Sequence, residues 1–277
     1  MRRSLRLAGG DAERDVLVGE VRDLVTADGT RLHVEIDEPE DPQSADLTVV
    51  FCHGYALNMN SWYYQRRDLR GQARLVFYDQ RSHGQSDRAA DTSHHVENLG
   101  RDLAAVINDV VPRGPIIVVG HSMGGMSVMS CIEQFPELVG ARIRGVALVA
   151  TAAGDVAATS LGLPKPIGRW VQRFATPLAS SLAKREGLVD GWDDTSFGLF
   201  LTRLYAFGSS ASDDDAHLVA QMLAGTSLEV VAEFLPSVQN HDSQAALPIL
   251  QRTEVLVVVG EKDRFTPVAL SRAIVDE

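Results

Sequence analysis

Short apolar runs alternate along this chain with stretches whose apolar residues recur every third or fourth position. Thr48–Cys52, Arg74–Tyr78, Pro115–Val119, Arg144–Ala150 and Thr253–Val259 are rich in Val, Ile, Leu and Phe and short enough for buried parallel strands. Between two of them, Leu99, Leu103, Val106, Ile107 and Val110 fall on one face of a helix spanning 96–110. Val16–Val25 and Arg31–Ile36, joined at Asp28-Gly29, predict a hairpin, because Asp-Gly supplies the positive φ that tight turns need. Asp37–Asp46 reads as a charged loop. Strand–helix alternation of this kind predicts an α/β fold, a doubly wound and mostly parallel sheet whose sites lie at the carboxyl ends of its strands.

Residues 154–240 break that rhythm. Trp170, Val171, Phe174 and Leu178, then Phe197, Phe200, Leu204 and Tyr205, then Leu218, Met222, Val230, Val231 and Phe234 have helical spacing, with a Gly/Ser/Asp-rich break at Gly208–Asp215. The pattern predicts a helical lid inserted into the α/β core. The expected division is a first core part over 1–153, a lid over 154–240 and a second core part over 241–277.

One strand ends in chemistry. Pro115–Val119 runs into Gly120-His121-Ser122-Met123-Gly124, and an apolar segment with Met126, Val128, Met129 and Ile132 follows. A strand, a Gly-x-Ser-x-Gly turn and a helix together make a nucleophile elbow, in which a sharp bend holds Ser122 clear of the sheet. Gly120 and Gly124 are expected to avoid a collision across that turn. Amides opening the helix point at whatever stands above Ser122, and the helix dipole favours negative charge there.

Composition narrows the partners. The chain has 277 residues, 45% of them hydrophobic, and a formal net charge of −11 with a pI near 5.2. That acidity argues against nucleic acid. The Arg66, Arg67, Arg70 group is too small to change the balance and reads as a solvated helix face. No apolar run approaches the roughly 18 residues of a membrane span, and no apolar stretch follows the basic start to make a signal peptide. Two cysteines, Cys52 and Cys131, sit in apolar segments, so buried free thiols and a reducing, cytoplasmic setting are expected. No His/Cys/Asp/Glu spacing suits a metal and no Gly-x-Gly-x-x-Gly follows a strand, so no cofactor is expected.

Four motifs in order then carry a resemblance: His53-Gly54-Tyr55 after one strand, Asp79-Gln80-Arg81-Ser82-His83-Gly84-Gln85-Ser86 after the next, the elbow, and Gly260-Glu261-Lys262-Asp263 after a later strand. The chain resembles the α/β-hydrolase fold family, in the single-lid group of esterases, lipases, C–C hydrolases and perhydrolases. Ser82 stands where that family's loop usually has Gly. The resemblance implies Ser122 as nucleophile, the backbone N–H groups of Tyr55 and Met123 as oxyanion hole, and Asp263 as the acid that orients the base, with Asp155 as its rival. A serine nucleophile argues against haloalkane dehalogenase or epoxide hydrolase chemistry.

The family's chain order is Ser, Asp, His, yet no histidine follows Asp263, and the last of the eight is His241. His53, His83 and His121 read as loop braces. His94 and His95 read as solvated or capping residues, His33 as remote and His217 as part of the lid. His241 is the best substitute base. Two expectations follow. One is an esterase-like hydrolase of small lipophilic esters whose base lies beyond residue 277, with a cofactor-free perhydrolase as its variant. The other is a non-catalytic protein of the same fold.

Overall fold

The computed structural model describes residues 17–41, 46–111, 113–156 and 212–277. A seven-stranded sheet forms the frame. Its strands are β1 (Glu20–Val21), β4 (Val34–Asp37), β5 (Thr48–Cys52), β6 (Arg74–Tyr78), β7 (Ile116–His121), β8 (Ile143–Val149) and β9 (Glu254–Val258), in the spatial order β1-β4-β6-β5-β7-β8-β9. From β6 to β9 every pairing is parallel, while β4 runs antiparallel to both β1 and β6. The early segment forms the expected hairpin: Val25↔Arg31, Leu24↔Leu32, Val21↔Glu35 and Glu20↔Ile36 keep one antiparallel register about the Asp28-Gly29 turn, with Gly29 at φ 88°. β2 (Leu24–Val25) and β3 (Arg31–Leu32) lie nearest the turn, and β1 and β4 carry the two arms into the larger sheet.

The described α-helices are α1 (Tyr63–Leu69), α2 (Val96–Ala105), α3 (Met123–Gln134), α4 (Asp213–Ala224), α5 (Leu228–Gln239), α6 (Leu247–Leu250) and α7 (Val268–Asp276). The helix expected over 96–110 keeps its apolar face but loosens after Ala105 into a wider turn over Val106–Val110. Leu99, Leu103, Val106, Ile107 and Val110 are buried to within 1% of complete exclusion from solvent. At about 1.5–3 kcal/mol per fully buried aliphatic side chain, that stripe is a major part of the core. Gly100 lets α2 approach α3 closely, because a methyl there would stand 2.8 Å from the Cys131 amide nitrogen.

The aromatics of 170–207 lie outside the described residues. The later apolar positions form two helices, α4 and α5, meeting at 94°. Each starts on a serine whose side chain caps the helix: Ser212 accepts from Asp215 N–H and Ser227 from Val230 N–H. Among the described residues no single helix is long and apolar enough to cross a membrane.

The Arg66 side chain corrects the reading of a solvated basic face. It is 4% exposed, holds Asp37 through two bonds of 2.8 Å and reaches Glu35 at 2.7 Å. Burial works against the Glu35 charge, yet bonds from His33 and Gly19 N–H and the Arg66 charge hold its pKa at about 2. A guanidinium this dry is tolerated only when its fork is fully matched by carboxylates. Asp37 is accordingly the buried end of β4 and not the start of a charged loop.

At the other side β9 is an outer strand of the sheet. Val255, Leu256 and Val258 are 40%, 59% and 44% exposed. A flat apolar edge of this kind is a template for pairing with another strand. The 277-residue chain should therefore self-associate, and Leu256→Lys should shift the mass measured by light scattering toward the monomer; an unchanged mass would clear β9 of that role.

Candidate active site

A sharp bend joins strand and helix at Ser122. β7 ends at His121, Ser122 takes φ 53°, ψ −118°, and α3 starts at Met123. A non-glycine residue there costs on the order of 1–3 kcal/mol and persists only where its surroundings over-determine it. They do. Ser122 N–H donates to Val149 O at 2.9 Å, and its carbonyl accepts from Gly125 N–H, Met126 N–H and the Thr151 hydroxyl at 2.9, 3.2 and 2.7 Å.

The elbow glycines have separate reasons. A methyl at Gly120 would stand 2.6 Å from Gly124 O, the collision across the turn that the motif implies. A methyl at Gly124 would stand 2.2 Å from Cys52 O and 2.6 Å from His53 O, so its constraint comes from β5 instead. Gly125 fits against Thr151, whose side chain would be 2.6 Å from a methyl. The close approach at Gly124 sets the start of α3 against the loop that follows β5.

That loop carries Tyr55. Leu57 N–H donates to Gly54 O at 3.2 Å, and Ala56, at φ 57°, donates its N–H to His83 Nε2 at 3.2 Å. Two neutral histidines hold the bend. His53 Nδ1–H donates to Gly54 O at 2.8 Å while Nε2 accepts from Gln80 N–H at 2.9 Å; the partners fix the tautomer. His83 Nδ1–H donates to Arg81 O at 2.9 Å, leaving Nε2 for Ala56. Burial lowers both, His53 to about 3 and His83 to about 4.

The Asp79–Ser86 loop does the tying. Asp79 accepts from Met59 N–H at 2.8 Å and Gln85 N–H at 2.7 Å, and a side chain at Gly84, φ 53°, would run into its carboxylate. Arg81 grips Asp102 of α2 through bonds of 2.7 and 2.6 Å and Asp28 at 2.7 Å. Gln80 links both halves of the site: its amide donates to His53 O at 2.7 Å and its carbonyl accepts from Ser127 of α3 at 2.7 Å. The Gln80–Ser127 pair was not visible in the sequence, since neither residue belongs to a catalytic pattern.

Asp263 follows β9. Its Oδ1 accepts Phe265 N–H at 2.9 Å and Thr266 N–H at 2.8 Å, and Oδ2 accepts the Thr266 hydroxyl at 2.9 Å. Its charge reaches the elbow: burial lowers the pKa of His121, the residue before Ser122, and Asp263 pulls it back upward. Asp155 is exposed at φ 57° in the turn after β8.

All eight histidines are among the described residues, and none is hydrogen-bonded to Ser122 Oγ or Asp263. His241 is 7% exposed, burial lowers its pKa to about 4, and its Nε2 has no hydrogen-bond partner. His33 lies between Asp23 and Glu35, and His217 bonds Asp213 O within α4. His95 is an exposed residue at the start of α2. His94 differs from expectation. It is 1% exposed, bonded to Ser82 Oγ at 2.8 Å and to Glu233 of α5 at 3.1 Å, so it is neither solvated nor a cap.

Over the elbow lies α5. Val230 and Phe234 pack with Leu99 and Met123, Tyr55 borders the cluster, and the Tyr55 hydroxyl donates to Val231 O. Cys52 and Cys131 are buried free thiols, and burial raises Cys52 to about 12. Among the described residues no group of three or more His, Cys, Asp and Glu side chains is placed to hold a metal.

Residues 49–276 match the alpha/beta hydrolase family, and the chain belongs to it. It is similar to a non-heme chloroperoxidase of Streptomyces lividans, 33% identical over 40% of this chain and 38% of that protein. It is also similar to a bifunctional esterase/perhydrolase of Acinetobacter calcoaceticus, 30% identical over 41% of this chain and 39% of that one. The match thus spans well under half of these relatives' lengths. Two solved structures share the fold: an esterase from Exiguobacterium antarcticum (TM-score 0.65, 16% identity, 91% of this chain and 85% of that one) and a hydrolase from Pseudomonas aeruginosa (TM-score 0.64, 20% identity, 92% and 86%).

Two measurements test this site. Gly124→Ala must move β5 backbone and should cost about 3 kcal/mol or more, whereas Gly260→Ala, with no atom within 4 Å, should lie within about 0.5 kcal/mol of the parent in chemical denaturation. Between about pH 6.5 and 4 the unfolded chain protonates His53 and His83 while the folded chain does not, so stability falls as pH drops. His33, whose pKa is raised chiefly by its bond to Glu35, works in the opposite sense. His83→Gln should therefore show a shallower fall in Tm over that window, and an unchanged slope would refute the neutral assignment.

Proposed function

We propose that this chain is a serine hydrolase of carboxylic esters that works through an acyl-enzyme. The observation that carries the reading is Ser122, held at φ 53° at the end of β7 with α3 opening behind it and a braced loop beside it. Ser122 Oγ attacks the ester carbonyl carbon as its proton passes to a base. The carbonyl oxygen becomes an oxyanion, held by the N–H groups of Met123 and Tyr55. The intermediate collapses, the leaving alcohol takes the proton from the base, and water then attacks the acyl-enzyme by the same route. Asp263 orients the base and stabilises its charged form.

None of the eight histidines is hydrogen-bonded to Ser122, so the base is not assigned to any of them in this arrangement. The apolar wall of Val230, Phe234, Leu99 and Met123 supports a small lipophilic ester as substrate. Perhydrolysis, with peroxide replacing water as acceptor, is the second reading, favoured by relatives named as a chloroperoxidase and an esterase/perhydrolase. The serine nucleophile argues against an alkyl-enzyme route of the epoxide hydrolase kind. Two buried free thiols fit a cytoplasmic setting.

Without its base a triad loses on the order of 10⁶ in kcat. The chain alone should therefore turn over p-nitrophenyl butyrate barely above background, and added imidazole should raise the rate in the parent but not in Ser122→Ala. Equal rates in the two proteins at every imidazole concentration would overturn the assignment of Ser122 and favour a non-catalytic protein.

A further inference from the structure

Outside the elbow, one polar chain is used by no step above. Ser82 stands in the left-handed region at φ 63°, where a serine is strained and glycine is not. Its hydroxyl is fully engaged: it accepts Ala89 N–H at 2.9 Å and meets His94 Nε2 at 2.8 Å. The other ring nitrogen of His94, Nδ1, is 3.1 Å from Glu233 Oε2. Glu233 also takes Arg88 at 2.8 and 3.0 Å, and Arg88 lies 3.6 Å from Glu229 one turn earlier on α5. Ser82, Arg88 and His94 belong to the core. Glu229 and Glu233 belong to α5.

The residue after Glu233 is Phe234. Its ring meets the edge of His94 at 4.8 Å between centroids and packs on His83 at 5.5 Å, and it shares a buried cluster with Met123. His83 in turn holds Ala56 N–H of the Tyr55 loop. The chain that fastens α5 thus also seats the apolar wall over Ser122.

We propose that Ser82, His94 and Glu233 form a latch that holds α5 down over the elbow, so that opening of this helix, and with it access of substrate to Ser122, is governed by these bonds. The functional half of this statement rests on the esterase reading; the mechanical half does not. His94 bridges core and helix, and Ser82 keeps its ring in place from the opposite side. Although the Ser-His-Glu order is that of a hydrolytic triad, the Ser82 oxygen is occupied by Ala89 N–H and His94 is 1% exposed, so the arrangement suits fastening and not attack.

Hydrogen exchange read by mass spectrometry tests the latch without using catalysis. Ser82→Gly removes the hydroxyl and relieves the positive φ, so the protein folds; Glu233→Gln keeps the shape and removes the charge. Each should speed exchange of the α5 amides over 228–239 about three- to tenfold, the range of one lost hydrogen bond, while α3 amides exchange as in the parent. The double variant should fall short of the product of the two effects, as expected for one connected chain. Parent-like exchange in α5, or equal acceleration in α3, would overturn the latch. Labelling of Ser82 by a fluorophosphonate in Ser122→Ala would also overturn it, making the group a second reactive serine site. If the latch holds but Ser122→Ala matches the parent in the imidazole assay, the esterase reading fails and the latch stands.

Discussion

The structure depends on the missing side chain at Gly124. With nothing on that Cα, the first turn of α3 lies directly against the carbonyls of Cys52 and His53, and a methyl would already overlap the first of these at 2.2 Å. This contact sets the Met123 amide beside the loop that carries Tyr55, two groups far apart in sequence. It also leaves Ser122 no relaxed conformation, since Val149, Gly125, Met126 and Thr151 hold its backbone from both strands and helix. The strain at Ser122 is the local consequence of a packing choice made one turn later.

Around that contact the protein uses neutral, dry hydrogen bonds more than charges. His53 and His83 are kept uncharged by burial and so can each accept one amide and satisfy one carbonyl. A protonated ring would have no lone pair for Gln80 N–H or Ala56 N–H, and the loop would lose its brace. The charged pairs stand farther out: Arg66 with Asp37 and Glu35 secures α1 to β4, and Arg81 with Asp102 secures the Asp79–Ser86 loop to α2. The same loop, through Ser82 and His94, reaches α5. One segment after β6 therefore joins sheet, Tyr55 loop and covering helix.

Strands, elbow and motif loops were legible because their causes are local. Apolar runs of β-branched residues need a buried sheet, and Gly-x-Ser-x-Gly between strand and helix admits few geometries. Arg66 was misread because a basic helix face looks the same whether it meets water or the buried carboxylates of β4. His94 was misread for a related reason: its partners Ser82 and Glu233 lie on a preceding loop and on a distant helix, and no spacing rule connects them. The hairpin joined at Asp28-Gly29 was legible because that dipeptide supplies the turn about which both arms pair in one register.

By itself the sequence determined the α/β alternation, the order of the strands along the chain and the bend at Ser122, since each follows from periodicity or from the φ that a few residues can adopt. Only the tertiary structure decided that His94 is buried against α5, which arginine is buried, and that Gly124 answers to β5 and not to its own turn. Those outcomes depend on groups that meet through space, where burial and hydrogen-bond geometry, not distance along the chain, determine which interaction prevails.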